Sequence, residues 1–155
     1  MMDRGLALDS SVVVKWFKKG EEFEEEALRL RREVLSSRVT VWVSELVPLE
    51  VCRALVKGGY PSGKVREAYA TLNEMGELGF LKAVSTAALR DEAEELIVEL
   101  KLFVADALSL AAAVVNSSDL LTEDKHLLRT DVRETMERKG LKLLRLEEAY
   151  RGASG

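Results

Sequence analysis

Four acids in this chain sit where acids are costly, with hydroxyls beside two of them. In "LALDSSVVVKWF", residues 6–17, an apolar run ends on Asp9, Ser10 and Ser11 follow, and the chain then turns apolar again. In "SELVPLEVCRALV" Glu50 has Leu46, Val47 and Ala54 at i−4, i−3 and i+4, which puts it on the helical stripe that should be buried. In "LKLFVADALSLAAAVV" Asp106 has Leu102, Phe103, Ser109 and Leu110 as helical neighbours, and "LLTEDKHLL" places Thr122 and Asp124 at the end of an apolar run. Gathered together, carboxylates ~4 Å apart repel by about 4 kcal/mol per pair at an effective dielectric near 20. Such a site requires a counter-charge or raised pKa values. A divalent cation supplies the counter-charge, and all-oxygen ligands favour Mg²⁺ or Mn²⁺. One His and one Cys leave zinc nothing to be built on. Such a centre can hydrolyse a phosphodiester, the metal activating a water and stabilising the charge that develops on phosphate.

Each acid also has an ordinary explanation. Asp9 suits a helix N-cap, Asp106 could cap or charge the start of its own helix, and Glu50 could gain from the dipole of a helix that begins near Pro48. Asp124 alone reads as a loop or cap residue. The joint pattern argues otherwise, because none of the four has an obvious basic partner on its own face. Lys15, Lys18, Lys19, Lys125, Arg129 and Arg133 lie near the proposed strand ends and could guide a phosphate backbone, although solvated surface charge is the usual role of such residues. His126 is expected at the surface, since a water activated by metal needs no further base. Asp119 is expected to be structural.

The elements that must position these residues alternate. Short runs rich in Leu, Val or Phe at 5–9, 39–43, 80–84, 119–122 and 141–144 read as strands buried on both faces of a parallel sheet. Between them the pattern predicts helices over about 11–17, 22–35, 45–57, 62–77, 86–100, 105–116 and 131–139. "KGG" at 57–59 closes one helix, "YPSG" opens the next, and Gly79 and Gly140 each precede a strand. The order describes a single α/β domain over residues 1–155. Open α/β sheets bind ligands beyond the carboxyl ends of their strands, where Asp9, Thr122 and Asp124 fall.

The chain of 155 residues is long enough to bury roughly 68–70% of its unfolded surface. Apolar residues make up 47% and charged residues 32%, well clear of the disordered regime. The net charge of −4 argues against a protein that holds nucleic acid by bulk electrostatics, but not against a transient nucleic-acid substrate. A single cysteine, Cys52, fits a buried thiol in a reducing compartment. With no signal-like start and no apolar run of ~20 residues, a cytoplasmic protein without membrane segments is expected.

These stretches resemble the PIN-domain proteins of the VapC-type toxin group. "LALDSSVVVKWF" resembles the opening strand of that family, "VSELVPLEVCRAL" its Glu-bearing helix, "ADALSLAAAVV" its Asp-Ala-Leu helix, and "DLLTEDKHLL" its strand ending in Thr, any residue and Asp. The similarity covers about 5–145. It implies a three-layer fold with a five-stranded parallel sheet in the order 3-2-1-4-5, Mg²⁺ or Mn²⁺ as cofactor, and ribonuclease activity on single-stranded or structured RNA. It also implies Asp9, Glu50, Asp106 and Asp124 as metal ligands, Ser11 and Thr122 as the hydroxyls that orient them, a homodimer, and an antitoxin partner. Two other readings stay open: a silent interaction domain whose acidic pocket receives a basic peptide, and a phosphatase with Asp9 as nucleophile. The phosphatase class wants a second Asp where this chain has Ser11.

Overall fold

The computed structural model describes residues 5–150. Strand β1 (Leu6–Leu8) leads into α1 (Ser10–Val13), a 3-10 turn (Val14–Trp16) and α2 (Glu24–Leu35). Next, β2 (Val41–Ser44) leads into α3 (Val47–Lys57) and α4 (Ser62–Glu77), and β3 (Lys82–Val84) into α5 (Thr86–Leu100) and α6 (Val104–Val115). The chain ends with β4 (Asp119–Leu121), α7 (Thr130–Arg138), β5 (Leu143–Leu144) and α8 (Leu146–Tyr150). All strand pairs are parallel, in the order β3-β2-β1-β4-β5, as expected.

Successive side chains on the inner strands go to opposite layers. Leu6 and Leu8 of β1 join the core under α2, α3 and α4, whereas Ala7 joins the core under α5, α6 and α7. In β4, Leu121 and Leu120 divide the same way. Apolar residues on both faces are what a parallel sheet between two helical layers requires, and α6 is correspondingly buried over most of its length. Inside one layer the Trp16 Nε1–H donates to the carbonyl of Ala27 at 2.9 Å. Gly5 is the only residue type its place allows, because a Cβ there would come within 2.6 Å of Trp42 Nε1 and 2.9 Å of the Thr40 carbonyl.

Three features depart from the sequence pattern. The run at 80–84 forms a strand that is not buried on both faces: Lys82 and Ala83 are exposed and Val84 half-buried, because β3 is an edge strand with β2 as its only neighbour. The helix expected over 11–17 is one α turn followed by one 3-10 turn. A short helix, α8, follows β5 where none was expected.

Candidate active site

The register of the sheet brings the first pair of site residues together. Leu8 of β1 lies opposite Leu121 of β4, so the next residue on each strand, Asp9 and Thr122, also meet at the carboxyl edge. The Thr122 hydroxyl donates to Asp9 Oδ2 at 3.1 Å. The Ser11 hydroxyl donates to the same oxygen at 2.6 Å, and the Ser11 N–H at 3.2 Å. Each hydroxyl thereby spends its single hydrogen on Asp9 and has lone pairs left to accept. Ser11 Oγ accepts the Glu123 N–H at 2.9 Å, and Thr122 Oγ1 accepts the Asp124 N–H at 3.0 Å. Asp9 is buried and does cap α1, as its ordinary explanation held. The cap uses Oδ2, and among the described residues no donor is placed on Oδ1.

The other acids lack such support. Asp106 stands in the first turn of α6, buried, but that helix is capped by no side chain. Burial above all, then the charges of Asp124 and Asp9, push its carboxyl up to about 7; a hydrogen bond to the Asp124 carboxyl acts in the same direction. Glu50, in the first turn of α3, is pushed up to about 8, first by burial and then by Asp9, Asp106 and Asp124, with the Ser10 hydroxyl pulling the other way. Its Oε1 is buried with no hydrogen-bond partner. The four acids from four segments therefore share one electrostatic site.

Among the described residues, no three His, Cys, Asp or Glu side chains already close round one ion. The donor types nonetheless fit a hard divalent ion: all four are carboxylates, and among the described residues Glu50 Oε1 is buried and unpartnered. The softer ligands lie elsewhere. His126 is exposed with its ring edge-on to Phe103, and Cys52 is half-buried rather than the fully buried thiol expected.

The basic residues fare less uniformly. Lys15 is buried and donates to the Glu22 carbonyl at 2.8 Å, Arg129 is held by Asp131 and the Leu100 carbonyl, and Arg133 by Glu148 and the Leu143 carbonyl. These three brace the scaffold and are not free to guide a phosphate backbone. Asp119 is structural, its Oδ1 accepting the Lys142 N–H at 2.9 Å. Two contributors went unassigned in the sequence pattern. Ser10, adjacent to Asp9, reaches Glu50. Glu123, between Thr122 and Asp124, pairs with Arg145 at 2.9 Å and accepts the Leu146 N–H at 2.7 Å, which anchors the loop that carries Asp124.

A family profile described as "PIN domain" matches residues 6–133. The chain belongs to the PIN-domain family. Members of this family are nucleases, and the match spans all four acids. Solved structures of similar fold include the toxin–antitoxin complex from Klebsiella pneumoniae (18% identity, TM-score 0.58, covering 81% of this chain and 92% of that one). VapBC2 from Rickettsia felis, bound to a DNA fragment from its promoter, is 19% identical, with TM-score 0.58 and coverage of 90% and 97%. A protein from Pyrobaculum aerophilum is 18% identical, with TM-score 0.53 and coverage of 88% and 90%. Among curated proteins, none matches by sequence. Among the described residues of this PIN domain, no helix is long and apolar enough to cross a membrane.

Proposed function

We propose that this PIN domain, folded as one unit over the whole chain, is a divalent-metal-dependent endoribonuclease and the toxin of a toxin–antitoxin pair. Asp9, Glu50, Asp106 and Asp124 would hold Mg²⁺ or Mn²⁺, and Ser11 and Thr122 would orient the first of them. The observation that carries this reading is that buried Asp106 and half-buried Glu50 feel the charges of Asp9 and Asp124, with the buried Glu50 Oε1 left unpartnered among the described residues. A fold has no stability reason to keep such a group, because burying an unpaired polar oxygen costs on the order of 1–3 kcal/mol.

Bound there, the cation supplies Lewis acidity, both to make water a nucleophile toward phosphorus and to neutralise the charge that develops. The chain's own residues do the rest. Ser11 and Thr122 fix Oδ2 of Asp9, which leaves Oδ1 aimed by a rigid carboxyl group. Glu50 and Asp106, whose carboxyls are pushed up, would have to be ionised to hold the ion, which would couple its binding to proton release. The Glu123–Arg145 pair holds the loop of Asp124 in place. The toxin assignment draws on the solved structures of similar fold, two of which are toxin–antitoxin proteins. A homodimer, an antitoxin that restrains it and a cytoplasmic setting come with that assignment.

The test is incubation of the purified protein with single-stranded RNA in Mn²⁺ or in EDTA, beside Asp106→Asn. Cleavage that needs Mn²⁺ and disappears in the variant is the expected result. Absence of cleavage of any RNA by clean, folded protein would replace this reading with the acidic-pocket interaction domain. The phosphatase reading is disfavoured by Ser11 at the position where that class carries an Asp.

A further inference from the structure

The segments carrying Asp106 and Asp124 meet inside the acidic site and again outside it. Phe103, which precedes the first residue of α6, is 68% exposed, and Val104 beside it is 64% exposed. The His126 ring stands at 90° to the Phe103 ring with centroids 5.4 Å apart. His126 is tied to the site by its backbone, its N–H donating to Asp124 Oδ1 at 2.8 Å. Phe103 lies one helical turn from Asp106, ~5 Å along the axis.

Nothing in the fold asks for a phenylalanine there. The N-cap position favours Ser, Thr, Asp or Asn, Phe103 makes no cap bond, and its ring belongs to neither core cluster. Lys101, exposed and in the left-handed region at φ 55°, lies two residues before Phe103, and Lys125, also exposed, precedes His126. Neither lysine has an ion pair among the described residues.

We propose that Phe103 and His126 form a stacking platform for an unpaired base of the RNA strand, with Lys101 and Lys125 against its backbone. This proposal rests on the ribonuclease reading and adds a binding site to it. Rings at right angles form an inside corner, so a base lying flat on one ring sets its edge against the other. Aromatic faces next to cations are how single strands are held without sequence readout. A protein partner is a poorer fit, because two apolar side chains fall far short of the roughly 800 Å² per partner that a stable interface buries. Base-paired RNA is excluded as well, its bases being stacked on one another.

The test compares Phe103→Ala, Phe103→Leu and Phe103→Trp with the unaltered protein. Dissociation constants for a mixed-sequence single-stranded RNA 12-mer would be measured in EDTA, and kcat and KM in Mn²⁺. Loss of one base stack should raise both the dissociation constant and KM about ten-fold in the Ala and Leu variants, with kcat nearly unchanged. The Trp variant should keep both constants and show indole quenching on adding RNA. Unmoved constants in Phe103→Ala would overturn the platform, as would rescue by Leu, which would mean apolar cover rather than stacking. A change of sedimenting species in Phe103→Ala without weaker RNA binding would overturn it in favour of a protein contact. RNA binding that falls in the variants while no protein cleaves would support the platform and sink the catalytic reading. Cleavage without any dependence on Phe103 would do the reverse, and no RNA binding by any form would end both.

Discussion

The two halves of the acidic site are built on opposite plans. Around Asp9 the carboxyl is held in place: three donors reach one oxygen, and the hydroxyls that supply two of them are themselves held by the backbone of Glu123 and Asp124. Around Glu50 and Asp106 burial and like charge oppose ionisation, and both carboxyls are pushed up to about 8 and about 7. The first half is a fixed anchor that also ties β1 to β4. The second half tolerates its own instability, which is expected where a function rather than the fold selects the residues.

That contrast can be broken most sharply by removing charge without changing shape. Glu50→Gln and Asp106→Asn should each lower Mn²⁺-dependent cleavage by on the order of 10³-fold, because both ligand charge and proton exchange are lost. Yet each should raise the melting temperature of the metal-free protein at a pH above about 8, where both carboxyls have ionised and the substitution removes repulsion. Each should also lose most of the gain on adding Mn²⁺, which for a site filled at 100 times its Kd is about 2.7 kcal/mol in the unaltered protein. Thermal melts in EDTA and in Mn²⁺ decide the matter, and unchanged melting in all conditions would mean that the acids do not share a site. The anchor half should respond with the opposite sign. Ser11→Ala and Thr122→Val each strip a donor from a buried carboxylate and should cost about 1–3 kcal/mol. At this chain length that is a fall of roughly 3–10 °C in melting temperature, with or without metal. A stabilised Thr122→Val would show that Asp9 belongs with the strained half.

The same contrast explains what was legible in the sequence. Asp9 and Thr122 could be paired because a short strand's end is marked by its apolar run, and adjacent parallel strands bring equivalent ends together. Glu50 and Asp106 could be found because an acid on an apolar helical stripe breaks the amphipathic pattern. What could not be read depends on partners far away in the chain. Helix α8 is five residues long, too short for periodicity, and begins at Leu146, whose N–H donates to Glu123 more than twenty positions earlier. Lys15, Arg129 and Arg133 looked like free cations, but carbonyls of Glu22, Leu100 and Leu143 claim them. The exposure of β3 follows from its place at the sheet edge, of which Lys82 is the one mark in an otherwise apolar "FLKAV".

The smallest effect is the one that tests the strained half with no substitution at all. A carboxyl whose folded pKa lies above its unfolded value binds its proton more tightly in the folded state, so folding is favoured while the proton is on. As pH rises past the ordinary carboxylate range the unfolded chain ionises freely, whereas Glu50 and Asp106 resist until about 8 and about 7. Stability of the metal-free protein should therefore decline between roughly pH 4.5 and pH 8, by on the order of 5 °C in melting temperature. Partial solvent access to both groups keeps the effect modest. Saturating Mn²⁺ should reverse the trend, because the ion competes with protons for the same oxygens and binds better as they leave. Melts across that range in EDTA and in Mn²⁺ should thus give curves of opposite slope. Parallel curves would show that protons and metal do not compete here, and the two halves of the site would no longer differ in kind.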